Sequence, residues 1–361
     1  MTFQLKILHV CPRYSPSIGG VEEHVRNICE RLAEKHDVAV YTTDPAGSLA
    51  EKETINKVKV SRFPSWAPSE AYYFSSKLNK QLKKDSSDFD VVHAHNYAAF
   101  PALYAARTVA EAKFFFTPHY HGTGHTFFRS LFHRPYKYWG QKIFRKAEKV
   151  ICVSKFEMRL VTQNFGDMEN KLVLIPNGLN LDEFRILKNR DGESKHILTV
   201  CRLERYKGIQ FVIEALTVLP KSMVLDVVGR GPYRKELVEI AEEMNVADRV
   251  RFFDLLTRKD LIQMYANAGV FVLLSKHESF GLSVAEALCA GTPCVVANES
   301  ALTEWVDNKR CFGIDYPVEQ ERLASLIRKI MGEKTDVDCS GLWGWEDVVD
   351  KLAALYENSM A

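Results

Sequence analysis

Charged residues and glycines recur in this 361-residue chain at the points where short apolar runs end. The densest group is KHESFGLSVAEALCAGTP, residues 276–293. It follows the apolar run VFVLLS (270–275), and the spacing predicts a strand, a turn and a helix from about 282 to 290. Gly281 opens that helix. A helix N-terminus directs unpaired N–H groups and a positive dipole end outward, which makes an anion site. A glycine there lets backbone approach a phosphate closely. Glu286, just over one turn inside, can accept hydrogen bonds from ribose hydroxyls. Glu278, before the turn, can face a second hydroxylated group. Two acceptors flanking an anion site suit a nucleotide joined to a sugar. A lone pair of glutamates without the Ser279-Phe280-Gly281 turn would read as solvated surface charge.

Three further stretches have the same character. CRLERYKG (201–208) ends an apolar run, and its Arg202 and Lys207 flank the turn before a helix. Two cations at a strand end can neutralise a pyrophosphate. VVGRGP (227–232) is a glycine-rich strand exit, where backbone at Gly229 can lie against a nucleobase or phosphate. SIGGVEEH (17–24) puts Gly19 and Gly20 on the first strand–helix turn, from which they can approach the donor across a cleft.

TPHYHGTGH (117–125) raises a metal question, since His119, His121 and His125 fall within seven positions. His119 and His121 with His95 would supply imidazoles. No carboxylate or cysteine ligand lies nearby in sequence, and the expectation is no metal. His93 and His95 alternate on FDVVHAH, so both face one side of a strand, as a packed, hydrogen-bonded pair or at the edge of a cleft. Asp88-Phe89-Asp90 has the form of a metal–diphosphate D-x-D but precedes a strand, the wrong end for a site in a parallel sheet. Asp336-Val337-Asp338 is an equally weak pair in a loop.

The elements that must hold these residues alternate. Strands are expected at 5–10, 37–43, 58–63, 89–95, 112–118, 149–154 and 171–176, with helices between most of them, the first from near Val21. The polar segment 185–195 reads as a linker. The alternation resumes with strands at 196–201, 224–229, 250–255, 270–275 and 292–298, and helices over 208–219, 233–244, 258–268 and 282–290. Such alternation implies parallel sheets with crossover helices. The chain length suits two domains. The reading is α/β: an N-terminal domain over 1–184, the linker, a C-terminal domain over 196–338, and a final amphipathic helix within 339–361 with Val348, Leu352 and Leu355 on one face.

Composition narrows the function. The net charge of +2 does not call for nucleic acid. Eight cysteines, none in a C-x-x-C pair, read as reduced thiols. The start of the chain lacks the features of a signal peptide, and no apolar run approaches ~20 residues, so a cytoplasmic protein without a membrane span is expected. Residues 126–149 mix Arg129, Arg134, Lys137, Lys142, Arg145 and Lys146 with aromatics. That suits a helix with a solvated basic face, or contact with an anionic membrane surface.

ESFGLSVAEALCAGTP resembles the E-x7-E motif of retaining glycosyltransferases of the GT-B, family-four type. CRLERYKG resembles that family's G-R-L-x-x-x-K-G element, with Cys201 where glycine is usual. PRYSPSIGGVEEHV resembles its N-terminal glycine loop and IPNGLNLDEF (175–184) its P-N-G segment. The resemblance implies a GT-B fold, two Rossmann-like doubly wound domains facing across a cleft, with the last helix crossing back to the first domain. It implies that Arg202 and Lys207 bind the donor pyrophosphate, Glu286 the ribose and Glu278 the donor sugar. Backbone at Phe280, Gly281 and Leu282 would meet phosphate or sugar, and Gly19 and Gly20 would lie near the phosphate and acceptor. His119 matches the active-site histidine that contacts the donor sugar, and Tyr120 and His121 fall on the acceptor side. The implied reaction transfers a sugar with retention from a UDP- or GDP-linked donor to a glycan or lipid-linked acceptor, with no metal or other cofactor, in the cytosol or at the cytosolic face of a membrane. Two other activities share these motifs: a nucleotide-sugar epimerase or hydrolase on the same fold, and a non-catalytic sugar-nucleotide binder.

Overall fold

The computed structural model describes residues 4–68, 72–122, 127–185, 194–254, 256–333 and 337–360, with backbone alone over 127–136. The chain forms two compact units, Met1–Gly178 with Trp343–Ala361, and Leu179–Leu342. The junctions therefore differ from the expected 184, 196 and 339. The short helix α6 (Leu181–Arg185) goes with the second unit because its Glu183 pairs with Arg258 at 2.8 Å and Phe184 lies under the same guanidinium. The stretch expected as a linker is thus assigned to the second unit, and its residues 186–193 lie outside the described ones.

The first unit is an eight-stranded sheet. Its strands are β1 (Lys6–Val10), β2 (Asp37–Asp44), β3 (Lys52–Ile55), β4 (Val58–Pro64), β5 (Val91–His95), β6 (Lys113–Thr117), β7 (Lys149–Cys152) and β8 (Leu172–Leu174). They lie in the order β3-β4-β2-β1-β5-β6-β7-β8. All pairings are parallel except β3 with β4. The polar KETI of β3 has no apolar period, which is why spacing misses this edge strand. Alternate strand residues feed two cores. Leu8, Val92, Phe114 and Phe116 pack on one face with helices α2 (Ser76–Asp85), α3 (Phe100–Thr108), α4 (Phe127–Lys146) and α5 (Lys155–Phe165). Ile7, Val91, Phe115 and Ile151 pack on the other with helices α1 (Gly20–Leu32) and α12 (Trp345–Asn358). Burial on both faces explains the continuous apolar runs. In α12 the buried stripe is Val348, Leu352 and Tyr356; Leu355 is only half-buried, since the i+4 position faces the sheet.

The second unit is a six-stranded parallel sheet in the order β11-β10-β9-β12-β13-β14. The strands are β9 (His196–Val200), β10 (Val224–Val228), β11 (Val250–Phe253), β12 (Val270–Leu273), β13 (Cys294–Ala297) and β14 (Cys311–Ile314). Between them run α7 (Ile209–Leu216), α8 (Arg234–Glu243), α9 (Arg258–Asn267) and α10 (Leu282–Cys289), and α11 (Gln320–Gly332) follows β14. The Thr257 hydroxyl caps α9 by accepting from the Asp260 N–H. This order is doubly wound, with its topological switch point between β9 and β12. In the first unit the corresponding reversal falls between β1 and β5. All eight cysteines are free thiols.

Candidate active site

The switch point of the second unit brings two of the sequence motifs together. CRLERYKG leaves β9 and KHESFG leaves β12, and Lys207 Nζ meets Glu278 Oε1 at 2.5 Å. Both side chains are largely buried, at 11% and 18% exposure, so the pair is little screened by solvent. Burial opposes the Lys207 charge, but Glu278 and Tyr206 outweigh it, and the ammonium is held above its ordinary range. Arg202 stands half-exposed at the same strand end, 3.4 Å from Glu204.

Backbone geometry fixes this pair. Gly208 has φ 76° and seals the turn after Lys207; a Cβ there would sit 2.5 Å from the Leu274 carbonyl oxygen beyond β12. Gly281 has φ 95° and starts α10, with no side chain capping the helix. A Cβ on it would meet Leu302 at 3.0 Å and the Trp305 indole nitrogen at 3.2 Å. Trp305 Nε1 donates to the Phe280 carbonyl at 2.6 Å, and the Ser300 hydroxyl accepts from the Glu278 N–H at 3.0 Å. The 278–281 turn is thus held from outside, and the N-terminal end of α10 has no side-chain acceptor from its own cap.

Glu286 is engaged within the second unit. Its Oε1 accepts from Arg258 Nη1 at 2.5 Å and its Oε2 from the Tyr265 hydroxyl at 2.9 Å. Arg258 and Tyr265 carry no motif signal, because both reach Glu286 from α9. Gly229 has φ 142°, and a Cβ there would collide with the Cys201 carbonyl oxygen, so packing against the β9 exit by itself requires a glycine. Leu203 N–H donates to the Arg230 carbonyl at 2.9 Å and completes the same contact.

In the first unit the histidines converge. His9 on β1, His24 on α1, His93 and His95 on β5, and His119 after β6 form one cluster. His24 and His119 rings lie 4.8 Å apart, and His95 and His119 6.1 Å. His93 is fully used, bonding the Tyr356 hydroxyl at 2.6 Å and Thr117 Oγ1 at 2.8 Å. His9 Nδ1 and His95 Nε2 share a hydrogen bond at 3.0 Å. Asn177 of the P-N-G segment accepts from His24 Nδ1 at 2.7 Å, and Gly178 lies against the Trp345 backbone. Burial holds these rings neutral, taking His9 down to about 3 and His24 to about 4, and lowering His93, His95 and His119 well below the usual imidazole value. The sequence picks out His93, His95 and His119 but gives no sign of His9 or His24, which arrive through β1 pairing and the second turn of α1.

The 119–122 loop departs from the expected acceptor side at one residue. His119 has φ 48°, a left-handed turn that sends the next side chain inward. Tyr120 is 4% exposed, with its ring 4.9 Å from Tyr97 and 5.4 Å from Phe165, so its side chain is core. Its N–H donates to Glu157 Oε1 at 2.5 Å, and Glu157 Oε2 accepts from the Val153 N–H at 2.7 Å. Burial pushes Glu157 up to about 8 against these two hydrogen bonds. His121 is half-buried beside His119. His125, and the side chains of 126–136 in the basic aromatic segment, lie outside the described residues. Beyond them Tyr138 and Trp139 are exposed while Ile143 and Phe144 are core. Gly20, which opens α1, has open space around it, whereas a Cβ on Gly19 would strike the Glu22 carboxylate that pairs with Arg13 at 2.7 Å. Asp90 is structural, its Oδ2 accepting from the Lys6 N–H at 2.7 Å. Among the described residues no helix is long and apolar enough to cross a membrane.

Two family models account for most of the chain: Glycosyltransferase Family 4 over residues 18–183 and Glycosyl transferases group 1 over 182–339. An uncharacterized glycosyltransferase of Methanocaldococcus jannaschii is 26% identical over 99% of both chains. Sucrose-phosphate synthase from Thermosynechococcus elongatus superposes with a TM-score of 0.80 at 20% identity, covering 99% of each chain. Anabaena HepE in complex with UDP-glucose does so at 0.80 and 19% identity, covering 98% of this chain and 100% of that one. The motifs, the two doubly wound sheets and these matches agree, and the chain belongs to the family-four type of GT-B glycosyltransferases that use nucleotide-sugar donors.

Proposed function

We propose that the enzyme is a retaining, metal-independent transferase that moves a hexosyl group from a UDP- or GDP-linked donor to a hydroxyl of a glycan or lipid-linked acceptor. The observation that carries this reading is the buried Lys207–Glu278 pair beside the uncapped start of α10, at the switch point of the second sheet. An anion site and a hydroxyl acceptor are thereby a single contact apart. The UDP-glucose bound by HepE, which shares the fold, supports a donor of this class.

In this reading the donor pyrophosphate lies between the N–H groups of α10 and the cations Arg202 and Lys207. Lys207 has three protons to share, so it can hold Glu278 and a phosphate oxygen together. Glu278 then accepts from the donor-sugar hydroxyls. Glu286, which also accepts from Arg258 and Tyr265, takes the ribose. His119 contributes the donor-sugar contact, and His121 lines the acceptor side. The bond from the anomeric carbon to the pyrophosphate oxygen breaks as the acceptor oxygen bonds to the same face. The acceptor proton passes to the departing phosphate. The cations stabilise the charge that develops there. Exposed Tyr138 and Trp139 beside Lys142 suit peripheral contact with an anionic membrane at its cytosolic face.

Turnover with a panel of nucleotide-sugars, in chelator and with simple glycoside acceptors, tests this reading. Product of retained anomeric configuration supports it. Inverted product, or abolition by chelator, contradicts it. Donor consumed equally fast without acceptor would point to epimerisation or hydrolysis instead.

A further inference from the structure

We propose that His24, His95 and His119 form a binding site for a borderline transition-metal dication of the zinc type. Each brings one ring nitrogen within 4.8 Å of those of the other two. His24 Nε2, His95 Nδ1 and His119 Nε2 are buried and have no hydrogen-bond partner. Buried imidazole nitrogens without partners are costly, and three of them in one cluster call for an occupant. His24 is 2% exposed and His95 0%, so bulk water does not satisfy them.

The partners on the far side of each ring favour ligation. Asn177 Oδ1 only accepts, so it keeps the His24 proton on Nδ1 and leaves Nε2 as a lone pair. This is the usual outer-shell arrangement of a metal-bound histidine. The hydrogen bond between His95 Nε2 and His9 Nδ1 is compatible with the same arrangement: in the tautomer with the proton on His95 Nε2, its Nδ1 is a lone pair. A neighbouring trio, His9, His93 and His95, is equally close-set, but both His93 nitrogens are already taken by Tyr356 and Thr117. Three neutral imidazoles without a carboxylate select zinc, copper or nickel over magnesium or calcium. Tetrahedral zinc with bonds of about 2.0–2.1 Å puts its nitrogens about 3.4 Å apart, so the three rings need to draw in by an ångström or so.

The ion is an inhibitor, not a cofactor. Once bound, it takes the His119 nitrogen away from the donor sugar. That consequence rests on the proposed role of His119, while binding of the ion does not.

The test uses the full chain, stripped with chelator and desalted. Cobalt(II) reports the ligand field by absorbance, and zinc is then titrated against a chromophoric chelator. The expected result is one ion per chain, with affinity reduced about tenfold or more in His24→Gln, His95→Gln and Asn177→Ala. Circular dichroism checks that each variant folds; should His95→Gln fail, the other two carry the test. Zinc should also inhibit sugar transfer by the wild type more strongly than by His24→Gln. No stoichiometric ion, or equal affinity in wild type and folded variants, overturns the site. Absence of any nucleotide-sugar turnover by the metal-free chain, with ion binding intact, would instead count against the proposed function.

Discussion

In the proposed reaction Lys207 and Glu278 are the residues on which the chemistry turns, and each holds the other in place at 2.5 Å. Lys207→Ala removes the cation proposed to face the pyrophosphate and leaves Glu278 as a partly buried charge without its partner. Turnover should fall by about 10²–10³, as for other groups that stabilise developing charge, with weaker nucleoside diphosphate binding. Steady-state kinetics and calorimetry measure the two effects. His119→Ala should behave differently, cutting transfer far more than nucleotide affinity, because its proposed contact is with the sugar. Equal losses of both would count against that role. The motif residues near the turns are legible in sequence because a strand exit, a glycine and a helix start are local. Arg258 and Tyr265 are not, since the spacing of α9 says nothing about which neighbour its face meets. Tyr120 goes the other way: its sequence neighbours suggest the site, but the left-handed backbone at His119 turns its ring into the core.

At the scale of elements, two glycine turns hold the strand exits together. Gly208 combines φ 76° with a close approach to the Leu274 carbonyl, so Gly208→Ala forces both a strained backbone and a displaced neighbour. It should destabilise the second unit by about 1–3 kcal/mol, read from urea unfolding. The histidine cluster joins β1, α1, β5 and the β6 exit, and it makes stability depend on pH. Folded-state values for His9 and His24 of about 3 and about 4 lie below that of an unfolded imidazole, and His93, His95 and His119 shift the same way. As pH falls through about 6.5 the unfolded chain takes up these protons first, so stability present above that pH is lost toward pH 4. Glu157, raised to about 8, opposes this with one proton above pH 4.5. Stability should therefore drop between pH 6.5 and 4 by about 1.4 kcal/mol per pH unit for each net proton, with more than one proton in the slope. A flat urea midpoint across that range would contradict the burial of neutral rings.

For the whole molecule, the α/β class and both doubly wound halves follow from the alternation of apolar runs and helical periods. The places where the chain changes unit do not, because they are set by tertiary contacts. Glu183 is drawn to the second unit by Arg258, seventy-five residues away, and α12 to the first by Val348, Leu352 and Tyr356 packing under the sheet. The short β3 and β14 escape notice for want of a period, the first being polar and the second only CFGI. The proposed activity rests on a donor site in the second unit. The most direct measurement is the thermal shift produced by UDP, GDP and their sugar conjugates on the full chain and on Lys207→Ala, since a ligand of the native state raises Tm by mass action. The expected result is a clear rise with at least one nucleotide for the native chain and little or none for the variant. No rise with any of them, or the same rise in both proteins, would contradict a donor site at Lys207 and Glu278.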